Sequence, residues 1–321
     1  MSEACVIGLG LIGGSLLRAA DAAGWKVRAA TRSAASAAAA RDVGFDVMSS
    51  IEDLLASASD DALVVLAVPL PAVFDVLPVL ARHAPRCRLT DVVSVKQPVA
   101  AAVARLAPSA RYVGGHPMAG ASTSGWTAGS ATLFRAAPWV VSSDDGADPA
   151  VWAQVAKLAL DCGAYVVPAS AADHDAAVAR VSHLPHVLAA VLATVGAGGG
   201  PLAMALGAGS FTDGTRVAGS APELVRAMCE GNRDALLDAV DDALGRLGAA
   251  RGSLASTGAL AATVQAGYQA RQAFEATRHG HRDNSGQIDL STTGALRRLR
   301  MIGQQGGRVV ALHGTRCLLH W

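Results

Sequence analysis

The chain has 321 residues, of which 51% are hydrophobic, so it is long enough for about two domains with large buried cores. Its formal net charge of +1 gives no global attraction to nucleic acid or to an anionic membrane surface, and neither is an expected partner. The five cysteines are scattered and contain no C-x-x-C pair, which argues against a disulfide framework or a zinc site and fits a reducing cytoplasm.

Two segments bear on membrane targeting. The N-terminal sequence MSEACVIGLG has no basic region before its apolar run, so we expect no signal peptide. The uncharged stretch Val187–Phe211 is long enough for a membrane helix, but the Gly and Pro residues at positions 196–201 should break it near its middle. We therefore expect two buried helices joined by a turn there, and no membrane span.

Short apolar runs alternate with helical patterns through the first half of the chain. The predicted strands are Ala4–Ile7, Lys26–Ala30, Ala62–Val68, Arg88–Val93, Arg111–Gly115, Trp139–Ser142 and Ala164–Val167. Leu11–Ala23 and Ala34–Asp42 are predicted helices between the first three of them. This alternation predicts the α/β class, with an N-terminal Rossmann-like, doubly wound, mostly parallel sheet over residues 1–170.

The second half lacks β-branched runs until Val309. The predicted helices there are Asp173–Val195, Pro201–Phe211, Pro222–Leu247 and Arg251–Thr277, which gives an all-α domain over residues 171–278. Residues 279–321 are polar, Gly-rich and weakly patterned. We expect them to form a loose C-terminal tail with one short helix near Leu296–Gln304.

The first predicted strand leads into a G-x-G-x-x-G motif formed by Gly8, Gly10 and Gly13, with Leu11 and Ile12 between the last two glycines. Gly8 allows the tight turn, Gly10 lets the backbone approach a pyrophosphate, and Gly13 allows the strand and helix to pack closely. A glycine-rich turn without a ligand is the alternative, but the strand before and the helix after supply the context that the motif requires. The motif therefore predicts a bound dinucleotide, NAD(P)+.

The end of the second predicted strand bears on the choice of cofactor. It carries Thr31, Arg32 and Ser33 where an acidic residue would bind the ribose hydroxyls of NAD. Arg32 can pair with the 2′-phosphate of NADP, which favours NADP+, although an Arg there can also stack on the adenine of either cofactor. Val68 and Pro69, after the third predicted strand, complete the predicted cofactor-binding residues.

Reactive side chains follow the fourth and fifth predicted strands, at the sheet edge where α/β proteins bind their ligands. The segment TDVVSVK includes Ser94, and the segment GGHPMAG and the five residues after it include His116, Ser122 and Ser124. Histidine, whose ordinary pKa is about 6.5, suits the removal of a hydroxyl proton while hydride leaves the same carbon. The alternative is a packed structural histidine, which the flanking Gly and Pro residues disfavour.

The helical region adds two candidate binding segments. SHLPH contains His183 and His186 with Pro185 between them, and we expect Pro185 to kink the helix so that one histidine faces the ligand rather than a metal. Arg216 lies in a Gly- and Thr-rich turn and suits a bidentate carboxylate clamp, although an Arg that binds helix C-terminal carbonyls is the alternative. No metal site is expected.

Together these segments resemble the prephenate/arogenate dehydrogenase family. The ordered set is GLGLIGGS, D-x-x-SVK, GGHPMAG-x-x-x-SGW, SHLPH and SF-x-D-x-TR-x-A-x-S-x-P-x-L, within residues 4–250. The resemblance implies that His116 is the catalytic histidine, that Ser94 orients the substrate hydroxyl and the nicotinamide, and that Arg216 binds a substrate carboxylate. It also implies a second active-site histidine at His186, substrate contacts from Ser122 and Ser124, and a homodimer formed through the helical domain.

The implied function is prephenate dehydrogenase in tyrosine biosynthesis, which converts prephenate to 4-hydroxyphenylpyruvate and CO2 with NAD(P)+. Many members carry an acidic residue where this chain has Ser122; without a carboxylate to pair with the ammonium group of arogenate, we favour prephenate over arogenate. Thr212 and Val225 replace the basic residue and the Trp that relatives often carry. The tail is too short and too weakly patterned for the family's regulatory ACT domain.

Three other readings remain as alternatives, and the lysine content argues against a fourth. Arogenate dehydrogenase would give tyrosine directly, and a relative could act on an amino-substituted prephenate. A redox sensor that binds NAD(P) without catalysis would not need His116, Ser94 and Arg216 together. The 6-phosphogluconate and β-hydroxyacid dehydrogenases resemble one another in using a lysine of the helical domain as acid and base. This chain has no lysine after Lys157, so its helical domain cannot supply one, which argues against these enzymes.

Overall fold

The computed structural model describes residues 2–121, 123–279 and 284–321, which divide into two units. The first unit is formed by Met1–Ala177, Gly219–Gly231 and Ser285–Trp321, and the second by Val178–Ala218 and Asn232–Asn284. The first unit therefore includes segments from both ends of the chain and one from the helical region, whereas the ranges predicted from sequence are contiguous.

Five short strands of the first unit form an all-parallel sheet in the order β2-β1-β3-β4-β5. Their bounds are β1 (Glu3–Ile7), β2 (Lys26–Ala30), β3 (Leu63–Leu66), β4 (Arg88–Asp91) and β5 (Arg111–Tyr112). The helices that connect them are α1 (Leu11–Ala22), α2 (Ala34–Asp42), α3 (Ile51–Ser57), α4 (Leu70–His83) and α5 (Gln97–Leu106). The predicted Rossmann-like fold class is confirmed.

This sheet is buried on both faces. Along β1, Ala4 and Val6 belong to one apolar cluster while Cys5 and Ile7 belong to the other. Because successive side chains of a strand point to opposite faces, a continuous apolar run is what such a strand requires. That requirement explains why β3 and the residues Ala4–Ile7 of β1 are uniformly apolar in the sequence.

A second sheet begins where the chain leaves β5. It contains β6 (Gly115–Pro117), β7 (Pro138–Ser142) and β8 (Tyr165–Ala169), with the helix α6 (Pro149–Asp161) between the last two. β6 pairs antiparallel with β7, and β7 pairs parallel with β8. The single strand predicted over Arg111–Gly115 is therefore wrong: the chain crosses from one sheet to the other between Tyr112 and Gly115.

Helices dominate the chain from residue 171 to residue 279. They are α7 (Ala171–Val178), α8 (Leu184–Gly198), α9 (Gly200–Ala205), α10 (Gly209–Thr215), α11 (Pro222–Gly231), α12 (Arg233–Ser256) and α13 (Ala261–His279). The predicted break near residue 200 is confirmed, since α8 ends at Gly198 and Gly200 has a φ of +77°. The break predicted between Leu247 and Arg251 is wrong; α12 continues to Ser256 and ends before Gly258, whose φ is +69°.

A π-helical turn, Ala179–His183, joins α7 to α8. Pro185, in the first turn of α8, has no N–H to donate to the carbonyl four residues earlier, so the regular α-helical pattern cannot pass through unchanged. The continuous helical run Ala171–Gly198 is long and apolar enough to cross a membrane by length and composition alone, a test that core helices also pass.

The C-terminal residues complete the second sheet, so the prediction of a loose tail is wrong. The strands β9 (Ser285–Asp289), β10 (Arg308–His313) and β11 (Arg316–His320) extend it to the order β6-β7-β8-β10-β11-β9. The predicted short helix is present as α14 (Ala295–Gln304). A Cβ on Gly303 would lie 1.7 Å from the Pro168 carbonyl oxygen, so this glycine allows α14 to lie directly against β8.

Candidate active site

The three motif glycines shape the loop between β1 and α1. Gly8 has a φ of +104°, and a Cβ there would lie 2.4 Å from the carbonyl oxygen of Ala67. A Cβ on Gly13 would lie 2.0 Å from the Gly8 carbonyl oxygen, while a Cβ on Gly10 would meet nothing within 4 Å. The loop is therefore tight on its protein side and open at Gly10, which fits the close approach of a pyrophosphate to the N-terminus of α1.

The other predicted cofactor residues lie around this loop in the same unit. Val68 Cγ1 lies 3.0 Å from the Cβ position of Gly8, and Pro69 occupies the N-cap position of α4. After β2, the Ser33 hydroxyl caps α2 by accepting a hydrogen bond from the Ser36 N–H. Arg32 is 81% exposed and lies 3.7 Å from Asp75, so its guanidinium is accessible to an anionic ligand.

Replacing Gly13 with alanine is expected to weaken dinucleotide binding by about tenfold or more, a change of at least 1.4 kcal/mol. The added methyl group would overlap backbone that cannot move without opening the turn after β1. Titration of NAD+ and NADP+ by isothermal calorimetry measures the effect. Gly245→Ala, in open space on α12, should leave both affinities unchanged, and wild-type affinity in Gly13→Ala would disprove this role for Gly13.

A pair of glycines brings His116 to its place at the centre of β6. A Cβ on Gly114 would lie 2.8 Å from Ser142 Oγ, and one on Gly115 would lie 2.7 Å from the Asp91 carbonyl oxygen. His116 is opposite Val140 of β7 and is 9% exposed. It therefore follows β5 by four residues, as part of a strand of the second sheet, and does not come directly after a strand in a loop as the sequence suggested.

His116 belongs to a buried series of three side chains. Its Nδ1 lies 2.8 Å from Nε2 of His174, and Nδ1 of His174 lies 2.7 Å from Oδ1 of Asp175. The Asp175 carboxylate also accepts hydrogen bonds of 2.8 Å from the backbone N–H groups of Lys96 and Gln97. Asp175 thus connects the start of α7 to both His116 and the start of α5.

The pKa values of His174 and Asp175 are shifted. Burial lowers the pKa of His174, more than the hydrogen bond to Asp175 raises it, so the imidazole is neutral near pH 7. Burial would raise the pKa of Asp175, but the hydrogen bonds from His174, Lys96 and Gln97 together outweigh it and lower the pKa. An ionised Asp175 beside a neutral His174 follows.

A buried lysine, Lys96, contacts the backbone next to His116. The Lys96 ammonium group is bound to the Asp91 carboxylate and donates a 2.7 Å hydrogen bond to the carbonyl oxygen of Gly115, the residue before His116. The Tyr112 hydroxyl donates a 2.6 Å hydrogen bond to the other Asp91 oxygen. Burial lowers the pKa of Lys96, while the nearby Asp91 opposes that shift. This ion pair fixes β6 against the end of β4.

The candidate serines occupy different settings. Ser94 is half-buried in the loop between β4 and α5, two residues before Lys96. Ser124 is exposed, just before Trp126, whose ring packs on Gly14 and lies 3.4 Å under the Arg18 guanidinium. Ser122 lies outside the described residues.

The remaining predicted residues belong to the second unit. His183 is fully buried, with Nδ1 3.1 Å from the Asn232 side-chain nitrogen. His186 is half-buried, and burial lowers its pKa. Arg216 is exposed at the start of the 3-10 turn Arg216–Gly219. No three His, Cys, Asp or Glu side chains are grouped as a metal site within residues 2–121, 123–279 and 284–321.

Sequence reasoning missed His174 and Asp175, and it quoted Lys96 and Asp91 only as part of a motif. The signal for the ion pair was available, since Lys96 is one of only three lysines and adjoins an apolar segment. For His174 and Asp175 the sequence shows only that they are neighbours. Their contact with His116 joins residues 58 positions apart, which no local pattern reveals.

Two family models match most of the chain. Residues 18–168 match the nucleotide-binding domain of prephenate dehydrogenase, and residues 170–258 match the prephenate dehydrogenase dimerization domain. The chain is 32% identical over 243 residues to prephenate dehydrogenase of Bacillus subtilis, a match that spans 73% of this chain and 65% of that relative. It is 33% identical over 264 residues to cyclohexadienyl dehydrogenase of Zymomonas mobilis, covering 78% of this chain and 88% of that one.

A solved structure extends the similarity to nearly the whole chain. It is a protein of Corynebacterium glutamicum, provisionally described as a prephenate dehydrogenase, with 45% identity and a TM-score of 0.88. The match covers 96% of this chain and 98% of that protein.

Proposed function

Because the chain belongs to the prephenate dehydrogenase family, we propose that it oxidises and decarboxylates prephenate with NAD(P)+ to give 4-hydroxyphenylpyruvate and CO2, a step of tyrosine biosynthesis. The observation that carries the proposal is the buried series His116–His174–Asp175, which joins the loop after Ser94 in the unit that also holds the dinucleotide motif. A protein that only bound NAD(P) and signalled its redox state would have no need of a histidine held in this way.

In the proposed reaction, the dinucleotide held at the loop of Gly8, Gly10 and Gly13 would supply a hydride acceptor for the carbon that carries the ring hydroxyl of prephenate. His116 takes the hydroxyl proton as that C–H bond breaks, and a C=O bond forms. The ring carboxylate then leaves as CO2, and the electron pair of the broken C–C bond enters the ring, which becomes aromatic. The protein therefore has to position the substrate, hold the base and bind the carboxylates.

The other assigned residues are proposed to bind and orient. Ser94 would hydrogen-bond the ring hydroxyl beside the nicotinamide, and Ser122 and Ser124 would contribute further substrate contacts. From the second unit, Arg216 would bind a substrate carboxylate with its planar guanidinium, and His186 would contact the substrate. The exposed Arg216 and half-buried His186 are chemically suited to these roles.

For the cofactor, we propose a preference for NADP+ based on Arg32, which is exposed and has no acidic neighbour in the loop after β2. Arg32→Ala should lower kcat/KM with NADP+ by about tenfold and leave kcat/KM with NAD+ nearly unchanged, since a phosphate contact of this size is worth about 1.4 kcal/mol. Steady-state assays with each cofactor measure it. Asp75→Ala, which removes the carboxylate facing Arg32, should not lower kcat/KM with NADP+. Equal losses of kcat/KM with both cofactors in Arg32→Ala would contradict the preference.

The test of the function is the formation of reduced nicotinamide from prephenate and from arogenate, each with NAD+ and with NADP+. We expect turnover of prephenate to be faster. Preferred turnover of arogenate would support the alternative, arogenate dehydrogenase. Cofactor binding without turnover of either substrate would overturn the proposal in favour of the sensor.

We also propose that the protein is a cytoplasmic homodimer formed through the second unit, since residues 170–258 match a dimerization domain. Large apolar side chains are exposed along its helices, including Leu188, Val191, Leu192, Val195, Leu202 and Leu247. Light scattering on the full chain should give twice the 32.4 kDa mass of one chain.

A further inference from the structure

We propose that His174 and Asp175 are positioning residues that hold His116 in the tautomer with its proton on Nδ1 and its lone pair on Nε2. The tautomer matters for catalysis only if the proposed function is right, because the lone pair on Nε2 is what would take the substrate proton. The tautomer itself is inferred from the contacts of His116, His174 and Asp175 in the first unit.

The order of the contacts decides which atom carries each proton. A carboxylate only accepts hydrogen bonds, so Nδ1 of His174, which lies 2.7 Å from Asp175, must be the donor. A neutral His174 then carries no proton on Nε2, and that atom can only accept. The nitrogen 2.8 Å away, Nδ1 of His116, is therefore the donor, and the lone pair of His116 is on Nε2.

The surroundings keep this arrangement from reversing. If His174 were an imidazolium, its Nε2 would donate to His116 and force the proton of His116 onto Nε2. His174 is 2% exposed, and both burial and the charge of Lys96 lower its pKa, so the imidazolium is disfavoured. Asp175 stays ionised because three hydrogen bonds converge on it.

The same carboxylate also fixes the loop that carries Ser94. Its two oxygens accept from the N–H groups of Lys96 and Gln97, at the start of α5, two and three residues after Ser94. One side chain thus sets both the proton of His116 and the backbone that presents Ser94. As His116 takes up a proton, its hydrogen bond to His174 becomes charge-assisted, and the negative charge of Asp175 lies behind it.

The first test reads the tautomer directly and does not depend on any substrate. The full chain is labelled with ¹⁵N-histidine, and the His116 signal is assigned as the one that disappears in His116→Asn. We expect Nδ1 to carry the proton in the wild-type protein at a pH where the ring is neutral. A proton on Nε2 would overturn the proposal even if prephenate is turned over; a proton on Nδ1 without turnover would leave it standing while the proposed function fails.

The second test separates positioning from folding by comparing two substitutions. His174→Phe removes the acceptor for His116, and kcat for prephenate should fall by about 10- to 100-fold with KM unchanged, by analogy with the loss of the second partner of a metal-bound histidine. His174→Gln offers an amide oxygen near the former Nε2, so it should recover a large part of that loss. Ser143→Ala, which removes a buried 3.0 Å hydrogen bond to Trp152 in the same unit, should leave kcat unchanged.

The outcomes that contradict the proposal are equally definite. Wild-type kcat in His174→Phe would mean that His116 needs no partner. Equal losses of kcat in His174→Phe and His174→Gln would mean that His174 only supports the fold, if KM also rises or if Ser143→Ala also loses activity. If His174→Phe cannot be purified in a folded form, the tautomer of His116 measured in the wild-type protein still decides whether the proposal holds.

Discussion

Replacing His116 with alanine is expected to lower kcat for prephenate by about a hundred- to ten-thousandfold, the range that a general base contributes. In the proposed mechanism the imidazole takes the ring hydroxyl proton as hydride leaves, and the alanine side chain cannot accept a proton. The cofactor affinity should stay near the wild-type value, since the glycine loop between β1 and α1 does not depend on this side chain. Steady-state kinetics and a cofactor titration on the same preparation give both quantities.

A matched histidine provides the control for this prediction. His313 lies exposed in β10, and His313→Ala should leave kcat unchanged. If His116→Ala keeps most of the wild-type kcat, His116 is a packed histidine and the proton has another acceptor.

Replacing Lys96 with methionine should lower the free energy of unfolding of the first unit by about 3–5 kcal/mol, as breaking a buried ion pair does. Both partners are fully buried, so Asp91 would lose its counter-charge where water cannot replace it. The Gly115 carbonyl would lose its 2.7 Å hydrogen bond as well. All five tryptophans lie in this unit, so denaturant unfolding followed by tryptophan fluorescence reports on it.

Two further variants test the cause. Lys96→Met combined with Asp91→Asn removes both charges while the amide can still bond Tyr112 and the Val93 N–H, so part of the loss should return. Lys157→Met breaks a partly exposed pair with Asp161 and should cost at most about 1 kcal/mol. Similar losses in Lys96→Met and Lys157→Met would show that burial of the pair is not what matters.

Local signals in the sequence were enough for the parallel sheet and the cofactor loop. β2 and α2 have the predicted bounds: β2 ends in the buried pair Ala29–Ala30, and the Ser33 hydroxyl caps α2, so both signals lie within a few residues. The glycine motif likewise needs only the strand before it and the helix after it. In the candidate site, the segments TDVVSVK and GGHPMAG are distinctive because polar and glycine residues follow apolar runs. They therefore drew attention to Ser94, Lys96 and His116.

The features that the sequence did not predict depend on distant partners. The apolar runs of β10 and β11 are short, Val309–Leu312 and Cys317–Leu319, and Ile288 is the large apolar residue of β9, so these strands depend on pairing with one another and with β8. Gly303 fits against Pro168, a contact across 135 positions that no local pattern encodes. His174 was missed for the same physical reason.

The most direct measurement of the central claim is the stoichiometry of a reaction with prephenate and NAD(P)+. We expect equal amounts of reduced nicotinamide, CO2 and 4-hydroxyphenylpyruvate, because hydride transfer and loss of the ring carboxylate occur in one catalysed sequence. Reduced nicotinamide without CO2, or no reaction despite bound cofactor, would contradict the account.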